Sequence, residues 1–108
     1  MTYSVKLTAD AVNDIGDIVD YIATNDAEAK ALHTLKALRS LVASLSLHPE
    51  RGSYPNELIS LGIKEFRQVQ MPPYRCIYRI INADVYVLIV ADGRRDMQTL
   101  LQRRLLQG

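Results

Sequence analysis

Apolar and polar residues alternate at the start of the chain, with Tyr3, Val5 and Leu7 set against Ser4 and Lys6. This period of two predicts a short strand with one buried face. The period then lengthens. Val12, Ile15, Val19 and Ile22 recur at spacings of three and four, and Asn13, Asp14, Asp17 and Asp20 fall largely off their stripe, as in an amphipathic helix with a solvated acidic face. Thr8 serves as its N-cap and Asp10 lies in its first turn. The polar Thr24, Asn25 and Asp26 end it near Ala23, and Asp26 caps a second helix. There Ala31, Leu35, Leu38, Val42 and Leu45 form the apolar stripe, widened by Leu32 and Leu41. His48-Pro49 stops it, because the residue before a proline is driven out of the helical region. Two amphipathic helices on a short link predict an antiparallel hairpin that needs a sheet to cover.

Residues 49–63 are rich in Pro, Gly, Ser and Asn and read as a loop, with Glu57-Leu58-Ile59 as one helical turn inside it. Residues 65–96 then read as three strands. Pro72-Pro73 makes the first turn between them, and Asn82-Ala83-Asp84 the second. In the middle strand Tyr74, Cys76, Tyr78 and Ile80 share one face. Arg75, Ile77, Arg79 and Ile81 share the other, an arginine-bearing face expected to be incompletely buried. Val85 to Ala91 is almost wholly apolar, as in a central strand covered on both sides, and the first strand is expected to pair with it. Asp96 caps a last helix with Met97, Leu100, Leu101 and Leu105 on one side and Arg103 and Arg104 elsewhere. The order β-α-α-β-β-β-α describes an α+β fold over residues 1–108, a small mostly antiparallel sheet packed against an N-terminal helical hairpin.

Composition narrows the class. Apolar residues at 48% and charged residues at 23% exclude a disordered chain. One cysteine, Cys76, excludes an internal disulfide and favours a reducing compartment. No apolar run is long enough to span a bilayer, and the N-terminus lacks a signal-peptide core, so the expected location is the cytoplasm. Net charge is +1 but unevenly spread. Residues 1–49 carry four basic and six acidic side chains; residues 50–108 carry nine and six, and all of those nine except Lys64 are arginine. Arginine suits bidentate contacts with phosphate or carboxylate, so the second half points to an anionic partner.

The pieces Ala9–Tyr21, Leu47/Pro49/Gly52, Leu61-Gly62 leading to Phe66-Arg67, Tyr74-Arg75 with Tyr78-Arg79-Ile80, and Val87–Asp96 ending in Gly93-Arg94-Arg95-Asp96 follow in order along almost the whole chain. Together they resemble the RelE/ParE superfamily of bacterial type II toxin–antitoxin toxins, closer to its ParE branch. The resemblance implies the fold derived above and one of two mechanisms. RelE-like toxins are ribosome-dependent endonucleases that cut mRNA, and ParE-like toxins bind and poison DNA gyrase. It also implies a cognate antitoxin as partner, in a hetero-oligomer with the toxin. No cofactor, metal or membrane is implied.

Cleavage by a 2′-hydroxyl needs a base, an acid and cations around the phosphorane. If the chain is a nuclease, the candidate cations are Lys64, Arg67, Arg75 and Arg95, of which Arg75 and Arg95 fall where the RelE-like pattern places two catalytic arginines. The acid–base partner is missing. The RelE-type tyrosine position falls near Leu100 or Leu101, no Tyr or His follows Tyr86, and His33 and His48 lie in or just after the second helix. A guanidinium with a pKa above about 12 is a poor substitute. The amphipathic C-terminal segment is instead ParE-like. Gyrase inhibition is therefore the leading expectation, with mRNA cleavage and an inactive relic behind it. Arg75, Arg94, Arg95, Arg103 and Arg104 are the expected target-binding residues, and Arg79, Leu100, Leu101 and Leu105 the antitoxin-binding ones. Against these stand simpler readings: Arg75, Arg79 and Arg95 as rim ion pairs, the last helix's leucines as packing, and Cys76 as an inert buried thiol.

Overall fold

The computed structural model describes residues 2–106. Its elements are β1 (Ser4–Leu7), α1 (Ala9–Asn25), α2 (Glu28–Ser44), α3 (Asn56–Ile59), β2 (Arg67–Met71), β3 (Tyr74–Ile81), β4 (Asp84–Asp92) and α4 (Met97–Leu101). A single 3-10 turn, Pro49–Arg51, precedes α3, and a π turn, Gln102–Leu106, follows α4. The α+β class and the order of elements are those read from the sequence.

The sheet runs β1-β4-β3-β2, with β1 parallel to β4 and the other pairs antiparallel. The expected pairing of the first strand with the apolar run is present, from Ser4 opposite Asp84 to Leu7 opposite Val87. Two residues, Pro72 and Pro73, join β2 to β3 through a cis peptide bond, and Asn82, at φ 56°, supplies the left-handed residue of the β3–β4 turn.

One irregularity governs what each face buries. Ile77 pairs with Ile89 but Tyr78 pairs with Val87, so Leu88 is an extra residue in β4. The bulge reverses the alternation, so that Val85, Val87 and Val90 all face the hairpin. Ile89 and Ala91 face the other way. The hairpin face is closed by Ala11, Leu38, Val42 and Leu45 over Val69, Cys76 and Tyr78. The opposite face is closed by Leu58, Phe66, Met97, Leu100 and Leu101 over Ile77. The arginine-bearing face of β3 is incompletely buried, as expected, but unevenly: the second core buries Ile77 fully and leaves Arg75 12% of its side chain exposed, whereas Arg79 and Ile81 at the far end are 43% and 41% exposed.

Local signals held where a side chain met its own backbone. Thr8 Oγ1 accepts from the Ala11 amide at 3.1 Å, and Asp96 Oδ1 from the Thr99 amide at 3.2 Å. Asp26 does not cap α2. Ala27 is the N-cap without a side-chain bond, while the Asp26 carboxylate pairs with Lys30 at 2.6 Å and its amide closes α1 on Ile22 O. The buried stripe of α1 is also rotated from the expected one. Ala11, Ile15, Ile18 and Ile22 face the sheet, and Val12 is 55% exposed.

In this orientation Asp14 meets the sheet edge. β1 accompanies β4 only as far as Val87, so beyond it the outer edge of β4 has no strand beside it. The Val90 amide on that edge donates to Asp14 Oδ2 at 3.0 Å, and the Leu88 carbonyl accepts from Arg104 Nη2 at 2.9 Å. Arg104 in turn forks onto both Asp14 oxygens at 3.1 and 3.0 Å. An ion pair thus takes the place of a strand, in keeping with the rule that buried backbone groups find partners. Asp14 was expected on a solvated face; its side chain is 17% exposed.

Candidate functional site

Among the described residues, six of the nine arginines already have internal partners, which sorts the candidates. Arg67 donates to the carbonyls of Glu50 and Gly52 at 3.2 and 2.9 Å and to the Tyr54 hydroxyl at 3.2 Å, and stacks 4.7 Å above the Tyr54 ring. Arg75 donates Nε to Gln68 Oε1 at 2.7 Å and both terminal nitrogens to Glu57 at 2.8 and 2.9 Å. That fork holds the Glu57 carboxyl below its usual range, the Arg75 hydrogen bond outweighing the opposing effect of burial. Arg94 clasps Asp92, closest at 2.6 Å, and likewise keeps that carboxyl low. Arg79 lies 3.5 Å from Glu65 and over the Phe66 ring. Arg104 is committed to Asp14 and Leu88. Arg95 is exposed with no side-chain hydrogen bond or ion pair, as are Arg103 and Arg39 among the described residues.

The nuclease set is not brought together. Arg67 pairs with Tyr78 and so projects on the hairpin side of the sheet, whereas Arg75 projects from the opposite face. Lys64 and Arg67 share a shallow depression of about 340 Å³ with Arg79, Glu50 and Glu65. Arg95 lies elsewhere, on the rim of a larger cleft. Tyr78, on the same strand as Arg75, is no base: it is fully buried, its hydroxyl donates to Pro49 O and accepts from the Gly52 amide, and burial pushes its phenol up. Cys76 is 1% exposed and its thiol is pushed up to about 12 by desolvation. No group of three or more His, Cys, Asp or Glu among the described residues is placed to hold a metal ion, and no described helix is long and apolar enough to cross a membrane.

Leu100 and Leu101 are 4% and 0% exposed inside the second core, and Leu105 packs against it. The packing role is therefore the one they display. Arg103 is exposed on the π turn beside them.

Two recesses remain. One is a groove of about 640 Å³ between β1 and the outer side of the hairpin, lined by Val5, Leu7, Val12, Leu35 and Arg39. The other is a cleft of about 950 Å³ at the turn end of the hairpin, with Tyr21, His33, Tyr74 and Arg95 among its lining residues. Sequence reading missed the joint presence of Tyr21, His33 and Tyr74, and the Glu57 partner of Arg75. These residues are far apart in the chain, and no local spacing signals their meeting. The unspent capacity of Arg95 likewise became visible only once the other arginines were paired.

The family model described as ParE toxin of type II toxin–antitoxin system, parDE, matches residues 5–97. A search of the curated proteins by sequence returns no match. Among solved structures, the chromosomal ParDE toxin–antitoxin system of P. aeruginosa superposes with a TM-score of 0.71 at 20% identity, covering 84% of this chain and 96% of that one. The RelBE2 complex of Mycobacterium tuberculosis gives 0.61 at 22%, covering 85% and 99%. A mutant of the E. coli toxin RelE in the free state gives 0.63 at 14%, covering 97% and 100%. At these identities the structural likeness is one of fold.

Proposed function

We propose, proceeding from the premise that the chain belongs to the ParE toxin family of type II toxin–antitoxin systems, that it arrests growth by gripping DNA gyrase and not by cutting RNA. The observation that carries this reading is the fate of Arg67 and Arg75. Each guanidinium is spent on internal acceptors, and the sheet separates them. Phosphoryl transfer depends on preorganised cations free to meet developing charge, with an acid and a base in reach. Recognition of a protein asks only for a rigid surface with a few free anchoring side chains. The test is a supercoiling assay with purified chain and gyrase, run beside a ribosome-dependent mRNA cleavage assay. Loss of supercoiling with intact mRNA is expected. Cut mRNA with unimpaired supercoiling would reverse the reading.

The nuclease reading keeps one observation in its favour: His33 lines the same cleft as Arg95. Its specific test is His33→Ala, which abolishes any RNA cleavage that this pair performs.

Neutralisation by a cognate antitoxin belongs to the same reading, and the solved relatives include ParDE and RelBE2 toxin–antitoxin assemblies. The groove beside β1 has the chemistry for it. Val5 and Leu7 lie on a sheet edge with no outer strand, Leu7 and Val12 are exposed on its walls, and Arg39 stands on its rim without a partner. An antitoxin segment that adds a strand or lays an apolar face there, with a carboxylate opposite Arg39, fits this surface.

A further inference from the structure

The cleft at the turn end of the hairpin is formed by the last turns of α1, the first turns of α2, the Pro72-Pro73 turn and the residues just after β4. Its floor is apolar, with Ile22, Met71 and Val90 among its lining residues. Its rim carries Tyr21, Tyr74 and Arg95. Tyr21 is 69% exposed, more than any other large apolar or aromatic side chain named as exposed among the described residues. Arg95 is the one arginine on this rim without an internal partner, because its neighbour Arg94 is clasped by Asp92 and Lys30 across the cleft by Asp26. Aromatic residues and arginine are the side chains that most often carry binding energy at protein interfaces, above all around an apolar centre.

Charge decides the class of ligand. Four carboxylates, those of Asp14, Asp17, Asp26 and Asp92, line the cleft beside three cations, Lys30, Arg94 and Arg95. Asp14, Asp26 and Asp92 are held by Arg104, Lys30 and Arg94, so a polyanionic backbone, which needs several free cations, finds one unpaired guanidinium here. A single carboxylate beside an apolar side chain meets one free guanidinium and an apolar floor. We propose that this cleft is the toxin's target-contact site and receives a protein segment with an apolar or aromatic anchor next to an acidic residue. The inference rests on the protein-target reading above and adds where the target is held. The cleft shares no lining residue with the β1 groove assigned to the antitoxin. Gripping the target and being neutralised are thus carried by different sides of the hairpin.

Arg95→Glu and Tyr21→Ala test the proposal without threatening the fold, since neither side chain makes an internal bond. Tyr74→Phe removes only a hydroxyl. With intact wild-type chain inhibiting purified gyrase, Arg95→Glu and Tyr21→Ala are expected to raise the concentration for half-inhibition by about tenfold or more, as for loss of an interface hot spot. Tyr74→Phe is expected to give a smaller rise in the same direction. Circular dichroism melts should stay unchanged, and the groove variant Val12→Asp should inhibit like wild type. Inhibition by Arg95→Glu and Tyr21→Ala within about twofold of wild type overturns the proposal while leaving the gyrase reading standing. If wild-type chain leaves supercoiling untouched, the gyrase reading falls, and growth arrest in cells judges the cleft. Arrest retained by Arg95→Glu overturns it too. Arrest and mRNA cleavage lost together make the cleft an RNA site and overturn the protein-segment assignment. Arrest lost without any RNA cleavage in the wild type supports a different protein target at the same site.

Discussion

Removing the Asp14 carboxylate is expected to cost far more than its position on a surface helix implies. The carboxylate accepts two guanidinium bonds from Arg104 at 3.1 and 3.0 Å and the Val90 amide at 3.0 Å. The two side chains are 17% and 19% exposed. An exposed ion pair contributes at most about 1 kcal/mol, whereas breaking a buried one by deleting a partner costs about 3–5 kcal/mol. At this burial the second limit is nearer, and a stranded Val90 amide adds about 1–3 kcal/mol of its own if water does not reach it. Asp14→Ala should therefore lose roughly 3 kcal/mol, about 13 °C in Tm for a domain of this size. Arg104→Ala should lose less, roughly 1–2 kcal/mol, because Asp14 keeps the Val90 amide and gains water. The double variant should fall short of the sum by about 1 kcal/mol or more, since both single changes break one interaction. Urea unfolding followed by circular dichroism measures all three, with an unchanged m-value confirming that the denatured state is the same. A loss below about 1 kcal/mol for Asp14→Ala, or additivity within about 0.5 kcal/mol, would refute the view that this pair stands in for a missing strand.

Three other outcomes follow from the same geometry. Gly52→Ala forces a methyl group against the Tyr78 hydroxyl and to 2.7 Å from Gln68 O; a loss of roughly 2 kcal/mol or more is expected by overpacking, and a melt equal to wild type would contradict the tight turn. Glu57, held low by Arg75, is ionised in the folded chain at pH values where the unfolded chain has begun to bind protons. Its contribution is full above the unfolded value of about 4.3 and is lost as pH falls through the lower folded value. Glu57→Gln should therefore flatten the acid limb of the stability curve; parallel acid limbs for the two proteins would sink this assignment. Cys76, with its thiol near 12 and almost no exposure, should resist a thiol reagent at pH 8 until denaturant is added. Labelling of the native chain at the rate of a free thiol would show that the core opens.

The sequence alone determined the features whose causes are local. Thr8 and Asp96 cap helices through atoms three residues away, Pro72-Pro73 and Asn82 turn the chain where they stand, and the periods of two and 3.6 set strand and helix types. The almost wholly apolar run from Val85 to Ala91 also announced a strand covered on both sides. Tertiary structure decided what depends on residues distant in the chain. The Leu88 bulge reversed the faces of β4, Asp14 and Arg104 bond the unpaired edge beyond Val87, and α1 packs through Ala11, Ile15 and Ile18 with Val12 facing outward. The functional surface followed the same logic. An arginine reads alike in sequence whether it is free or spent, because the difference lies in a partner such as Glu57, 18 residues from Arg75. Only the fold, by pairing most of the arginines internally, left Arg95 without a partner on the cleft that Tyr21 and Tyr74 also line.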